Sequence, residues 1–150
     1  MDKISILVIN GPNLNMLGKR QPDLYGDMTL DEINRNMISY AKDRDIAIEF
    51  FQSNIEGEII NQIQKSVGHF NGIIINAGAY SHTSIAIRDA IAGIDVPVVE
   101  VHISNIFGRE DFRHHSYMTP VCAGSIVGLG HLGYILALDY FHLMNKNLGL

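Results

Sequence analysis

The chain has 150 residues, of which 47% are hydrophobic and 18% charged, with a formal charge of −5. That composition predicts one domain with its own core, burying roughly 68–70% of its unfolded surface without a disulfide or metal staple. Eleven basic residues against sixteen acidic ones, with Lys19-Arg20 as the only adjacent basic pair, argue against a nucleic-acid partner.

Cys122 is the single cysteine, which excludes an internal disulfide and any multi-cysteine metal site and suits a reducing compartment. No apolar run approaches the ~18 residues of a membrane span, and the N-terminus lacks the pattern of a signal peptide. A cytoplasmic protein with no membrane partner is expected.

In chain order, Ile4 to Ile9 is nearly continuous in apolar character, as in a strand buried on both faces. Residues 11–28 contain Gly11, Pro12, Gly18, Pro22 and Gly26 and show no period. A loop longer than ~12–15 residues is commonly a lid or a binding loop, so a lid is expected at about 18–27, with a plain surface excursion as the alternative. Thr29-Leu30-Asp31-Glu32 matches a capping box, and Leu30, Ile33, Met37, Ile38 and Ala41 follow at helical spacing. A second strand spans Ile46 to Phe51. Ser53 to Glu56 repeats the capping pattern before a helix with Ile59, Ile60, Ile63 and Val67 on one face.

The third strand, Gly72 to Ile75, ends in Asn76-Ala77-Gly78, and a helix follows from the Ser81–Ser84 region to Gly93. The fourth, opened by Pro97, covers Val98 to Val101 and runs on to Ser104. A short helical turn is expected around 110–112, a fifth strand over Val121 to Ser125, and a last helix from Gly130 to about Asn145. Leu132, Leu136, Tyr140 and Leu143 are expected on one face of it, and residues 145–150 to fray. Alternating strands and helices, with buried strands, predict an α/β fold with a five-stranded parallel sheet covered on both sides, a three-layer sandwich.

In such sheets, ligands collect at the carboxyl ends of the strands. Three of these ends carry polar residues: Asn10 to Asn15, Asn76 to His82, and Glu100, His102 and Ser104, which strand alternation places on one side. An imidazole titrates near neutrality and suits proton transfer. Glu100 either orients His102 or acts on it through water or a neighbour, and His102 reads equally as a satisfied core residue. Tyr25 and Arg20 form the other candidate pair, because a phenol works as a base near neutral pH only beside a cation. Arg109 and Arg113, four apart, would face one anion if helical, or line a solvated basic face. No Walker A pattern is present, and the glycine-rich run from Gly124 to Gly130 lacks a lysine and reads mainly as close packing and a helix entry.

These blocks together closely resemble the type II 3-dehydroquinate dehydratases: NGPNLNMLGKRQPDLYG at 10–26, NAGAYSHTSIAIRDA at 76–90, EVHISNIFGREDFRHHSY at 100–117 and VCAGSIVGLG at 121–130. The resemblance spans essentially the whole chain. It implies a flavodoxin-like fold, a single catalytic domain and cofactor-free, metal-free dehydration of 3-dehydroquinate to 3-dehydroshikimate in aromatic amino-acid biosynthesis. By the same resemblance, Tyr25 is the base that takes the C2 proton, and Arg20 is the lid cation that stabilises its phenolate. Asn13 holds a water on the enolate oxygen, and His102, supported by Glu100, protonates the departing C1 hydroxyl. Asn76, His82, Ile103, Ser104 and Arg113 bind the substrate. Asp89 reaches a neighbouring subunit's site, Arg109 matches a motif arginine near the site, and the assembly is a homododecamer, a tetramer of trimers. The competing reading is a flavodoxin-like module that holds a flavin or nucleotide without turnover. It needs a phosphate-cradling first loop, which Asn13-Leu14-Asn15-Met16 does not resemble.

Overall fold

A computed structural model describes residues 3–146. Five strands, β1 (Ile4–Asn10), β2 (Ile46–Gln52), β3 (Gly72–Asn76), β4 (Val98–His102) and β5 (Gly124–Val127), form one parallel sheet in the order β2-β1-β3-β4-β5. This is the doubly wound order of flavodoxin-like folds, in which the chain reverses direction across the sheet between β1 and β3. The helices are α1 (Pro22–Tyr25), α2 (Leu30–Lys42), α3 (Glu56–Lys65), α4 (Ile85–Ala92) and α5 (Leu132–Asn145).

Alternation along β1 builds both layers. Ile4, Ile6 and Val8 join Ile33 and Met37 of α2 and Tyr134 and Leu138 of α5. Leu7 and Ile9 point the other way, onto Ile59 and Ile63 of α3 and Ile87 and Ile91 of α4. Thr29 caps α2, its Oγ1 accepting from Glu32 N, and Ser84 caps α4 by accepting from Ile87 N. Among the described residues, no helix is long and apolar enough to cross a membrane.

Several expected details shift. The fifth strand lies at 124–127 rather than 121–125, because Thr119–Val121 is a 3-10 turn with proline near its start and pairing with β4 begins at Val99 opposite Gly124. The strand at 98 ends at His102 instead of Ser104. Ser53 lies two residues ahead of the α3 N-cap, Ile55; its Oγ accepts from Ile55 N and donates to Glu58 Oε2 at 2.5 Å. Ile38 and Val67 are exposed. On α5, Leu132, Leu136, Tyr140 and Leu143 do share one face, and it is the outer one: they are exposed, while Gly133, Tyr134, Ala137, Leu138 and Phe141 face the sheet. A helix apolar on most sides has two candidate faces, and spacing alone does not choose between them. Of the tail expected to fray, residues 147–150 lie outside the described residues.

Candidate active site

The carboxyl ends of β1, β3 and β4 converge because small residues let the loops above them approach closely. Gly11 N donates to Asn76 O at 2.8 Å, and a Cβ at Gly11 would sit 2.5 Å from Ala77 O. Any side chain there would push the loop after β1 away from the loop after β3. Asn13 holds a left-handed backbone (φ 69°), a conformation asparagine tolerates, and Asn54 Oδ1 anchors its N–H at 3.0 Å. On the far side, Gly128 N and Gly130 N donate to His102 O and Ile103 O, pinning the chain where it leaves the sheet.

A cavity of about 120 Å³ opens above these ends. Its lining includes Asn13, Arg20, Tyr25, Asn76, His82, His102, Ile103, Ser104, Arg109 and Arg113. Among the described residues, three guanidiniums and no carboxylate line it, in a chain whose net charge is −5. The cavity therefore suits a small anion. Its volume falls well short of the ~300 Å³ and more of pockets for larger ligands, which favours a small one.

Tyr25 comes from α1, a single helical turn with no buried residue. The long segment after β1 thus carries two local elements, α1 and a 3-10 turn at Leu14–Met16, where the sequence shows no period. Arg109 Nη1 donates to the Tyr25 hydroxyl at 2.8 Å and to Ser104 Oγ at 3.1 Å. The Arg20 and Arg109 guanidiniums lie 5.0 and 5.3 Å from the Tyr25 ring centroid. Two cations therefore flank the phenol ring. Arg109, not Arg20, bonds the oxygen. Arg109 and Arg113 do reach one cavity, but from separate turns, Ile106–Gly108 and Asp111–Arg113, rather than from one helix.

His102 and Glu100 settle the question their spacing leaves open. Both are buried, and His102 Nε2 meets Glu100 Oε2 directly at 2.6 Å. Glu100 lies behind the imidazole and does not line the cavity. Burial works to raise its carboxyl, but hydrogen bonds from His102, Ser116 and Thr119 outweigh burial and hold it below the usual carboxylate range. His82 stacks on His102, centroids 6.0 Å apart, and its Nδ1 lies 2.8 Å from His115 O. Burial, aided by the nearby His102 and Arg113, pushes the His82 imidazole down, so at neutral pH it is neutral and its Nε2 is an acceptor.

Asn76 is fixed by a residue that its sequence neighbourhood gives no hint of. Tyr134 of α5, fully buried, donates to Asn10 Oδ1 at 2.6 Å and accepts from Asn76 Nδ2 at 2.9 Å. Asn76 Oδ1 accepts from Gly78 N, which sets the amide's orientation. Asp89 stands apart from the cavity, exposed on α4 and paired with Arg88 at 2.8 Å.

A phenol between cations and an imidazole on a buried carboxylate, across a small anion-seeking cavity, are the working parts of a general acid–base enzyme. The family model for dehydroquinase class II matches residues 4–142. A Sulfurovum sp. (strain NBC37-1) protein named 3-dehydroquinate dehydratase is 57% identical over 135 residues, 90% of this chain and 83% of its own. One of the same name from Acaryochloris marina is 54% identical over 139 residues, 93% of each chain. The crystal structure of type II dehydroquinase from Butyrivibrio crossotus superposes with a TM-score of 0.90 at 48% identity, covering 92% of this chain and 97% of that one. The chain belongs to the class II dehydroquinase family.

Proposed function

We propose that this chain is a 3-dehydroquinate dehydratase, a hydro-lyase that removes water from 3-dehydroquinate to give 3-dehydroshikimate through an enolate. Its relatives carry that name, and the cavity suits the chemistry. A carbanionic intermediate needs a base, a place for the charge and an acid at the leaving group. Tyr25, as a phenolate, takes the proton from C2, beside the ketone. Arg20 and Arg109 hold the charge on the phenolate and near the enolate, and Asn13 positions a water on the enolate oxygen. His102 then delivers a proton to the C1 hydroxyl, which leaves as water while the enolate collapses to the conjugated enone. Glu100 stabilises the imidazolium. Arg113 and Ser104 anchor the carboxylate and hydroxyls, with Asn76, His82 and the Ile103 backbone completing the grip.

The observation that carries this reading is the placement of Tyr25 and His102 on one cavity with three arginines and no carboxylate. The whole chain acts as one catalytic domain, with residues at about 18–27 as the lid that closes Arg20 and Tyr25 over the substrate. The exposed apolar face of α5 and the position of Asp89 outside its own cavity suit a homododecamer built from trimers, in which Asp89 serves a neighbour's site. The setting is cytoplasmic and the pathway aromatic amino-acid biosynthesis. Incubation with 3-dehydroquinate should produce the ultraviolet absorbance of a conjugated enone, and borohydride should trap no adduct, because no imine forms. Absence of the enone would remove the proposal, and a monomeric mass by light scattering would remove the assembly.

A further inference from the structure

Two hydroxyls outside the cavity converge on the buried carboxylate behind His102. Ser116 Oγ donates to Glu100 Oε2 at 2.6 Å, and Thr119 Oγ1 donates to Glu100 Oε1. The direction of the first bond is set by the ionised carboxylate, which only accepts, while Ser116 Oγ itself accepts from Met118 N at 3.1 Å. With His102 Nε2, three donors meet two oxygens. We infer that Ser116 and Thr119 are positioning residues of the dehydration, acting through Glu100 to keep the transferable proton on the Nδ1 of His102.

The argument rests on the reading of His102 as the proton donor. A carboxylate bonded to Nε2 could take that nitrogen's proton, leaving a neutral imidazole whose remaining Nδ1 proton is too weakly acidic to deliver. Two hydroxyl protons aimed at the same carboxylate oppose that transfer, because each hydrogen bond favours the charged form. They also fix the plane of the carboxyl group, and with it the ring that bonds it. Both hydroxyls sit on the segment 114–121, so this stretch, far in sequence from Tyr25, tunes the acid half of the reaction. Other titratable groups around the pair are His82, stacked on His102, with Arg113 beside it. His114 and His115 line a groove shared with Glu100. The Cys122 thiol is pushed up to about 12 by burial and further by the Glu100 charge, so it stays neutral.

The test is the pH profile of kcat in Ser116→Ala and Thr119→Val, with Thr119→Ser as the conservative control. Removing a donor should move the acid limb to higher pH by about one unit per hydroxyl, since two or three such bonds lower a carboxyl by about two. The limb should return to its parental position in Thr119→Ser. A merely structural role would lower the whole profile without moving its limbs. Profiles that superimpose on the parent after scaling overturn the inference. Each hydroxyl reaches a different Glu100 oxygen, so either variant alone reports if the other fails to fold. His102→Ala is run in parallel. If it is inactive while the limbs stay put, only this inference fails; if it is fully active, the acid assignment falls first.

Discussion

The two halves of the catalytic apparatus are built in opposite ways. Tyr25 stands on a single exposed helical turn, and its hydroxyl is fixed by one arginine 84 residues away. His102 ends a central strand, is 5% exposed, and meets a carboxylate whose oxygens are saturated by local donors. In the proposed mechanism the acid is organised before substrate arrives, while the base depends on a loop meeting Arg109 across the cavity. Such a division suits the order of the proposed chemistry, because an acid at a buried floor gains from exclusion of water.

The sharpest way to break the comparison is Tyr25→Phe. It removes the proton acceptor and leaves the cavity's shape and its three guanidiniums. We expect kcat to fall by about 10²- to 10⁴-fold, the usual worth of a general base, while calorimetry still detects ligand binding. Activity within a few-fold of the parent would mean the base lies elsewhere. A smaller effect follows from Arg109→Ala. That change deletes a charged hydrogen bond to the Tyr25 oxygen, worth about 1.5–3 kcal/mol, so kcat should drop roughly 10- to 150-fold. An unchanged kcat would assign the phenolate to Arg20 alone.

The sheet and the acid half are legible along the chain; the base half is less so, and for a physical reason. Strands such as Ile4–Asn10 announce themselves by apolar runs, and Thr29 and Ser84 by their capping chemistry. Glu100 and His102 share a side because strand alternation demands it. The contact between Arg109 and Tyr25 joins two short turns with no periodicity, so only the folded chain brings them together. By spacing, Arg109 shows only as one of two arginines four apart, and the helix that spacing implies does not exist; its place near the site comes from the family resemblance. Ser116, Thr119 and Tyr134 give no local signal, because a hydroxyl beneath a site looks like any turn or core residue. Which face of α5 turns inward is not legible for a related reason. Its leucines alternate with alanine and aromatics on every side, and small residues such as Gly133 and Ala137 are what permit close packing on the sheet.

Tyr134→Phe probes the rigid half through stability. The hydroxyl it removes serves Asn10 and Asn76 at once, leaving two amides buried without that partner. An unsatisfied buried group costs about 1–3 kcal/mol, so urea unfolding should show a loss of at least that size. Activity should fall mainly through KM, because the orientation of Asn76 relaxes while Tyr25 and His102 stay in place. A loss of kcat alone, at parental stability, would contradict the role given to Tyr134.

The smallest effect is the slope of stability against pH, and its sign follows from two groups near the acid. Glu100 and His82 are both held below their ordinary values, the first by its hydrogen bonds against burial, the second by burial. A group lowered in the folded state contributes stability that is present above its unfolded pKa and is lost as pH falls through the folded value. His82 acts first, below about 6.5, and Glu100 only below about 4.3. Urea midpoints should therefore stay level from pH 8 to about 7 and decline in two stages on acidification. His82→Phe should remove the upper stage and keep the lower one. A midpoint that rises between pH 7 and 5 would show that the imidazole is charged in the folded state, and the neutral acceptor assigned to it beside His102 would have to be abandoned.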